Sequence, residues 1–236
     1  MAKGKRIAVF VCYVLLVSYL LWLVVSPWTQ FKTLKNFVNI EPPPYQGPEI
    51  HRAAAQGELE KIKLKLNQNS GLISSLDSQR NTLLHLGARY GHTEIVKFLI
   101  ANRADINARD EAGYTPLAST IFFCFRQGGI DLNSVKDVVE VLIDSGADVN
   151  TKSRFGYTPL HHTAAWGTKE VAELLISAGA DINAKDHNGD TPLNAACRYR
   201  RKKKGGMIDL LHKHGAVRRH GKNNSYDSEP DLIGLF

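Results

Sequence analysis

Two adjacent histidines, His161 and His162, stand in the stretch FGYTPLHHTAAW, flanked by Phe155, Tyr157 and Trp166. Imidazole changes charge near neutral pH and is a frequent metal ligand, so such a pair suggests either acid–base chemistry or a metal site. A zinc centre requires further ligands at defined spacing, and no cysteine or carboxylate stands at that spacing around the pair. His212, His214 and His220 form a second group, readable as weak metal binding or as solvated surface. The three cysteines, Cys12, Cys124 and Cys197, contain no CxxC pair and are too few for a disulfide framework; they read as small apolar residues. No P-loop and no GxSxG nucleophile turn is present. The expectation is therefore no catalytic centre, no metal and no cofactor. An enzyme using His161, His162 and nearby acids is kept as a remote alternative.

What positions the histidines is a repeated frame. Thr-Pro-Leu recurs at 115–117, 158–160 and 191–193, and Thr82-Leu83-Leu84 is a variant of it. The step from Thr82 to Thr115 equals the step from Thr158 to Thr191. The step from Thr115 to Thr158 is longer by a ten-residue insertion. His51 precedes His85 by nearly the same step, which adds an earlier unit without the Thr-Pro start. Five units thus begin near residues 48, 82, 115, 158 and 191. Within one unit, Thr158 suits a helix N-cap and Pro159 the first helical position, where its missing N–H costs nothing. Leu160, Thr163 and Ala164 share a face of that first helix, which Gly167 ends. Lys169 to Ala178 forms a second helix with Val171, Leu174 and Leu175 at i, i+3, i+4 spacing. Gly179 suits the left-handed position after it, and Asp186 to Gly189 makes a turn. Helices this short are marginal alone, so the units must stack and share a core.

With Thr-Pro-Leu in three units, the frames Gly146-Ala147-Asp148-Val149-Asn150 and Gly179-Ala180-Asp181-Ile182-Asn183, and the second helix HTEIVKFLI from His92 to Ile100, residues 48–219 resemble the ankyrin repeat family. The resemblance implies an all-α solenoid of about five helix-turn-helix units with short β-turn or hairpin tips. It also implies that His161, like His85 and His51, hydrogen-bonds between neighbouring turns. His162, at the position of Leu86 and Ala195, is expected to be half-buried. The first unit, coated by Glu58, Glu60, Lys61, Lys63 and Lys65, is expected to be a polar N-terminal cap, and the last unit, which lacks the closing Asp-x-Asn, a C-terminal one. Leu83 in place of proline and Arg103 in place of glycine weaken local turns in the second unit.

The resemblance further implies that partners bind on the tips and on the exposed face of the first helices. Carried over by alignment, those positions are Arg89, Tyr90, Arg109, Tyr114, Lys152, Arg154, Phe155, Tyr157, Trp166, Lys185, His187, Arg198 and Tyr199. The series is basic and aromatic, and Tyr, Trp and Arg are enriched at interface hot spots. Some of these residues are expected to cover neighbouring turns and the rest to stay free for an acidic protein segment with apolar anchors. The insertion, Ile121 to Ser134, carries three phenylalanines and reads either as a longer helix packed on its neighbour or as an exposed anchor.

The flanking segments have their own chemistry. Ile7 to Val25 is a long run without a charge, roughly 28 Å as a helix and close to the thickness of a bilayer core. Residues 7–26 are therefore expected to be an uncleaved single-pass signal anchor after a basic flank, 1–6; the rival is a cleaved signal peptide, which Pro27 after Ser26 disfavours. Lys3, Lys5 and Arg6 before the span outnumber Lys32 and Lys35 after it, which places the N-terminus in the cytoplasm and the repeats on the far side, periplasmic or lumenal/extracellular; the alternative keeps the repeats cytoplasmic. A proline-rich linker, 27–47, follows; its Pro42-Pro43-Pro44-Tyr45 reads as a spacer or as a WW-domain ligand. Arg198, Arg200, Arg201, Lys202, Lys203 and Lys204 form a basic run readable as a solvated loop or as a contact for anionic lipid or an acidic protein; the anchor argues against nucleic acid. The tail, 220–236, mixes acids with apolar residues and is expected to be disordered, with docking in trans or back onto the basic groove as the minority reading.

The net charge of +7 fits an acidic partner. The functional expectation is a non-enzymatic interaction module, a scaffold or adaptor tethered to a membrane. The alternative is a secreted or translocated bacterial effector acting on host proteins.

Overall fold

The structure, a computed structural model, describes residues 47–127, 131–166, 168–198 and 205–217. The apolar segment 7–26, nearly all of the linker 27–47, Gly167, Tyr199, the basic run 200–204 and the tail 220–236 lie outside the described residues. Among the described residues no helix is long and apolar enough to cross a membrane. Those residues form α-helices and one 3₁₀ turn, with no strand. The fold is all-helical and consistent with an ankyrin-repeat solenoid.

The helices come in antiparallel pairs, one pair per unit. They are α1 (Glu49–Gln56) with α2 (Leu59–Gln68), α3 (Leu83–Arg89) with α4 (Thr93–Ala101), and α5 (Pro116–Gln127) with α6 (Leu132–Asp144). α7 (Pro159–Trp166) pairs with α8 (Lys169–Ser177), and α9 (Pro192–Arg198) with α10 (Gly205–Lys213). First helices pack on first helices of neighbouring units, and second helices on second. α7 is buried from Pro159 to Ala165 because α5, α8 and α9 enclose it. Its alanines and Thr163 permit that approach. α8 is amphipathic, burying Val171, Ala172 and Leu175 while Lys169 and Glu173 face solvent.

A leucine at one position of the frame anchors the core in the last four first helices: Leu84, Leu117, Leu160 and Leu193 are fully buried, each contributing roughly 2 kcal/mol by removal from water. Each sits two residues after the threonine that starts its helix, so the frame fixes both the start and the buried position. The second helices of the last three units are followed by a left-handed glycine, Gly146, Gly179 and Gly215 with φ 92°, 87° and 82°, whereas α2 ends on Asn69 in extended backbone. Arg103 occupies that position in the second unit at φ 65°, and Arg80 stands at φ 60° in the first tip, where the other tips have glycine. Left-handed non-glycine residues cost about 1 kcal/mol, so the second unit is the one with the poorest turns.

The first unit caps the stack as expected. Lys61 and Lys65 reach Glu49 at 3.5 and 2.7 Å, and Lys63 reaches Glu60 at 2.7 Å, which covers its outer side with charge. The 3₁₀ turn Ser70–Ser74 had no signature in the repeat frame. The insertion is resolved as added helix: α5 and α6 run for 12 and 13 residues, against 8 and 9 in α7 and α8. Between the units, the tips are tight turns. Each is joined to the next by one backbone bond, from Glu111 N to Gln79 O (2.9 Å), Arg154 N to Ala112 O (3.0 Å) and His187 N to Phe155 O (3.2 Å).

Candidate functional site

The histidines that suggested chemistry are occupied in building the joints. His161 Nε2 lies 3.0 Å from the carbonyl of Asp190 in the next unit, to which it donates. Its Nδ1 then accepts from Thr158 Oγ1 (2.8 Å) and Thr158 N (3.2 Å). His85 repeats this with Thr82 and the carbonyl of Tyr114 (3.0 Å). His51 donates to Ser75 O at 3.1 Å, but Pro48 replaces the threonine, and its buried Nδ1 has no partner among the described residues. Burial disfavours the charged ring in all three, pushing His51 and His161 below the usual imidazole value and His85 down to about 4. His162 is more buried than the sequence suggested. It lies among Tyr114, Phe122 and Tyr157, with ring centroids 5.3, 5.1 and 5.4 Å away. Among the described residues no group of three or more His, Cys, Asp or Glu is arranged to hold a metal. Cys124 is buried in α5, its thiol pushed up to about 12 by desolvation and donating to Arg89 O at 3.2 Å.

Two members of the expected partner-facing series belong to the interior, which corrects their exposure. Arg89 is buried: its guanidinium donates to Asn81 Oδ1 (2.7 Å) and Ser119 Oγ (2.9 and 3.1 Å), stands 3.8 Å from Asp110 and stacks over Phe123 at 3.7 Å. Burial raises the Asp110 carboxyl above its usual value despite that arginine. Tyr114 is buried as well, stacked on Phe122 at 5.1 Å. The reason is a slot joining the residue before each threonine to the residue seven after it. Asn81 and Arg89 fill it by a hydrogen bond, Tyr114 and Phe122 by a ring stack, and Asp190 and Arg198 by an ion pair. The alignment had placed these positions on a surface; the regular offset within each unit, from the residue before the threonine to the end of the first helix, is the signal that pairs them.

Tyr90, Tyr157 and Trp166 are half-buried, Tyr157 against His161 at 5.8 Å. Burial raises the Tyr90 phenol above its usual value. Arg198 is exposed but ion-paired with Asp190, which sets it apart from the basic run in which the sequence placed it. Tyr199 lies outside the described residues.

The exposed members gather on the tips. Arg109, Lys152 and Lys185 occupy equivalent positions in three successive tips, and they form a ladder. Arg109 donates to the carbonyl of Lys152 at 2.9 Å, and Lys152 Nζ to the carbonyl of Lys185 at 2.9 Å. Arg154, Phe155 and His187 extend the row, and Phe155 is 60% exposed, unusual for a phenylalanine. Gly156 holds that tip at φ 81°; a Cβ there would meet His187 N at 2.6 Å, so the close stacking of the tips requires glycine. Behind the row runs a second series, the asparagines that close the Asp-x-Asn frames, whose bonds between units the sequence did not reveal. Asn107, Asn150 and Asn183 accept from the backbone of Asp148, Asp181 and Val217 at 2.9, 2.7 and 2.8 Å, tying each loop to the next.

The chain matches two family models, ankyrin repeats (3 copies) over residues 130–223 and ankyrin repeats (many copies) over residues 66–118. Together with the clamped helix pairs this shows that the chain belongs to the ankyrin repeat family. It is similar to a putative ankyrin repeat protein of Rickettsia bellii, 37% identical over 75 residues, 32% of this chain and 31% of that protein. It is also similar to the human 26S proteasome non-ATPase regulatory subunit 10, 36% identical over 63 residues, 27% of this chain and 28% of that subunit. A third relative is the rat protein phosphatase 1 regulatory subunit 12A, 39% identical over 89 residues, 36% of this chain and 8% of that subunit. The matches span about a third or less of these relatives' lengths. Ankyrin repeats indicate a protein–protein interaction module.

Proposed function

We propose that this chain is a non-enzymatic adaptor, tethered to a membrane by residues 7–26, that holds an acidic protein segment with an apolar anchor on its tip row. The observation that carries the reading is Phe155, 60% exposed on a tight turn beside Arg154, three residues after the ladder cation Lys152 and bonded through its carbonyl to the next tip at His187 N. A ring there can bury against an apolar side chain while the surrounding cations meet carboxylates, an arrangement that favours fast association and selects against basic partners. The imidazoles of His85 and His161 engage both ring nitrogens within the fold, which leaves neither as a general base. The charge bias of the flanks supports a cytoplasmic N-terminus and repeats on the far side.

The test is photo-cross-linking from position 155 in the native membrane, comparing the native neighbours with Arg154→Ala. A discrete protein adduct lost in Arg154→Ala is the expected result; an adduct recovered equally from both would overturn the tip surface. Protease protection of the repeats in sealed vesicles tests the orientation, and the mass of the mature N-terminus separates an anchor from a cleaved leader.

A further inference from the structure

We propose that the tip row has a competing occupant in the same chain: the segment Asp227–Phe236, docked with its carboxylates on Lys185 and Lys152 and an apolar side chain on Phe155. The proposal rests on the tip row being the partner surface and makes its occupancy regulated.

Three observations converge on it. The first is where the chain leaves the fold. Val217 is the counterpart of Asp148 and Asp181: its amide donates to Asn183 Oδ1 at 2.8 Å, just as Asp181 donates to Asn150. Its carbonyl accepts from Thr191 Oγ1 at 3.2 Å. The chain therefore departs beside the loop that carries Lys185 and His187, two and four residues beyond Asn183. The second is reach. Residues 218–226 can extend to roughly 30 Å and residues 227–236 to about 33 Å. Stacked helices lie roughly 8–10 Å apart, so Lys185 to Lys152 is one such step and Arg109 a second. The segment is long enough to turn back and cover the row.

The third is complementarity of charge and of apolar character. Asp227, Glu229 and Asp231 precede Leu232, Ile233, Leu235 and Phe236. Lys185 and His187 stand in the tip beside the exit, and Lys152, Arg154 and exposed Phe155 together in the tip before it. Of the exposed carboxylates native to these loops, Asp148 accepts from Asn150 N (2.8 Å) and Thr151 Oγ1 (2.9 Å) and Asp181 from Asn183 N (3.0 Å), which engages them within their own turns. Exposed Glu111 sits one tip further on, so docking centres on the Lys152–Lys185 pair and stops short of it.

Zero-length carbodiimide cross-linking of the dilute full-length chain, mapped by mass spectrometry, tests this. The pairs Lys63–Glu60 and Lys97–Glu94, at 2.7 and 2.9 Å, serve as internal positive controls. The expected result is monomeric protein in which Lys152 or Lys185 is joined to Asp227, Glu229 or Asp231. Phe155→Ala, which keeps every amine and carboxylate, is expected to lower that yield at least threefold. Control links without tail links would overturn the docking. So would tail links spread evenly over Lys97, Lys136, Lys169 and Lys213, links found only in dimers, or a yield unchanged in Phe155→Ala. The two readings fail separately. No tail link together with an adduct still lost in Arg154→Ala rejects the docking and keeps the partner surface. Specific tail links with an adduct indifferent to Arg154→Ala support the docking and reject the partner surface.

Discussion

The joint between the second and third units and the joint between the third and fourth are built from different chemistry. In the first, His85 bridges from Thr82 to the carbonyl of Tyr114, and Arg89 binds Asn81 of its own unit and Ser119 of the next. In the second, Ala118 stands at the histidine position, and a methyl group cannot donate. Rings take over there: Tyr114, Phe122, His162 and Tyr157 lie within centroid distances of 5.1–5.4 Å. Directional bonds define one angle between two units, whereas stacked rings hold units together over a wider range of angles. The insertion falls in the unit whose polar clamp is missing, and Phe122, at the slot position that Arg89 and Arg198 fill in their units, stacks on Tyr114 there.

The comparison breaks most sharply at Arg89. Arg89→Ala removes the donor that satisfies Asn81 and Ser119 and leaves Asp110 buried without its cation. The expected loss is about 3–5 kcal/mol in urea unfolding, accompanied by exposure of Cys124 to thiol reagents, since Cys124 is held against the Arg89 carbonyl. A loss below about 1 kcal/mol would place the strength of the joint in the Arg89–Phe123 stack or in apolar packing instead.

Acid acts on the clamped joint through His85. His85 titrates at about 4 in the fold because burial penalises its charge, against about 6.5 when unfolded. Between those values the unfolded chain binds a proton that the folded chain does not. Stability is therefore full above pH 6.5 and falls as pH drops toward 4, by on the order of 3 kcal/mol for this residue. His161 and His51 are lowered in the same direction and add to the slope. His85→Leu is expected to flatten the dependence of urea midpoint on pH across this window. An unchanged slope would show that His85 does not carry it.

How much of this was legible in the sequence differs between the two joints. The clamped joint was readable, because Thr and His have fixed jobs at fixed offsets and the frame recurs at one step on either side of the insertion. The ring-packed joint was not: Tyr114 and His162 sit at positions the frame leaves variable, so Tyr114 read as exposed and His162 as only half-buried, whereas both are buried. Arg89 misled for the same reason. Its long side chain lies where a surface residue is allowed, but Asn81 just ahead of the helix and Ser119 and Phe123 of the next unit take it inside. On the tips the alignment identified positions, but the ladder of Arg109, Lys152 and Lys185 depends on carbonyls that each tip offers the previous one, which no residue type encodes.

A histidine-to-asparagine exchange separates the local from the inter-unit share of a clamp. In the fifth unit Asn194 already stands at the histidine position, and its Oδ1 accepts from Thr191 N (3.1 Å) and Thr191 Oγ1 (2.8 Å). His161→Asn should keep the equivalent bonds to Thr158 and lose only the longer reach to Asp190 O. The expected cost is about 1 kcal/mol for the asparagine and about 2 kcal/mol for His161→Ala, by chemical denaturation. Equal losses would assign the whole clamp to the bond that crosses between units.

The smallest expected effect on stability lies on the tips, where the function is proposed. Phe155→Ser removes a ring that is 60% exposed, so little apolar burial is lost. The backbone bond from His187 N to the Phe155 carbonyl does not involve the side chain, and Gly156 keeps the turn. The midpoint is expected to shift by no more than about 0.5 kcal/mol, while the partner adduct is lost. Gly156→Ala serves as the contrast on the same tip: φ 81° and the 2.6 Å approach to His187 N force the turn to move, costing about 1 kcal/mol or more. If Phe155→Ser proved as costly as Gly156→Ala, the ring would be part of the framework, and exposure at the tip would have been a poor guide to what binds there.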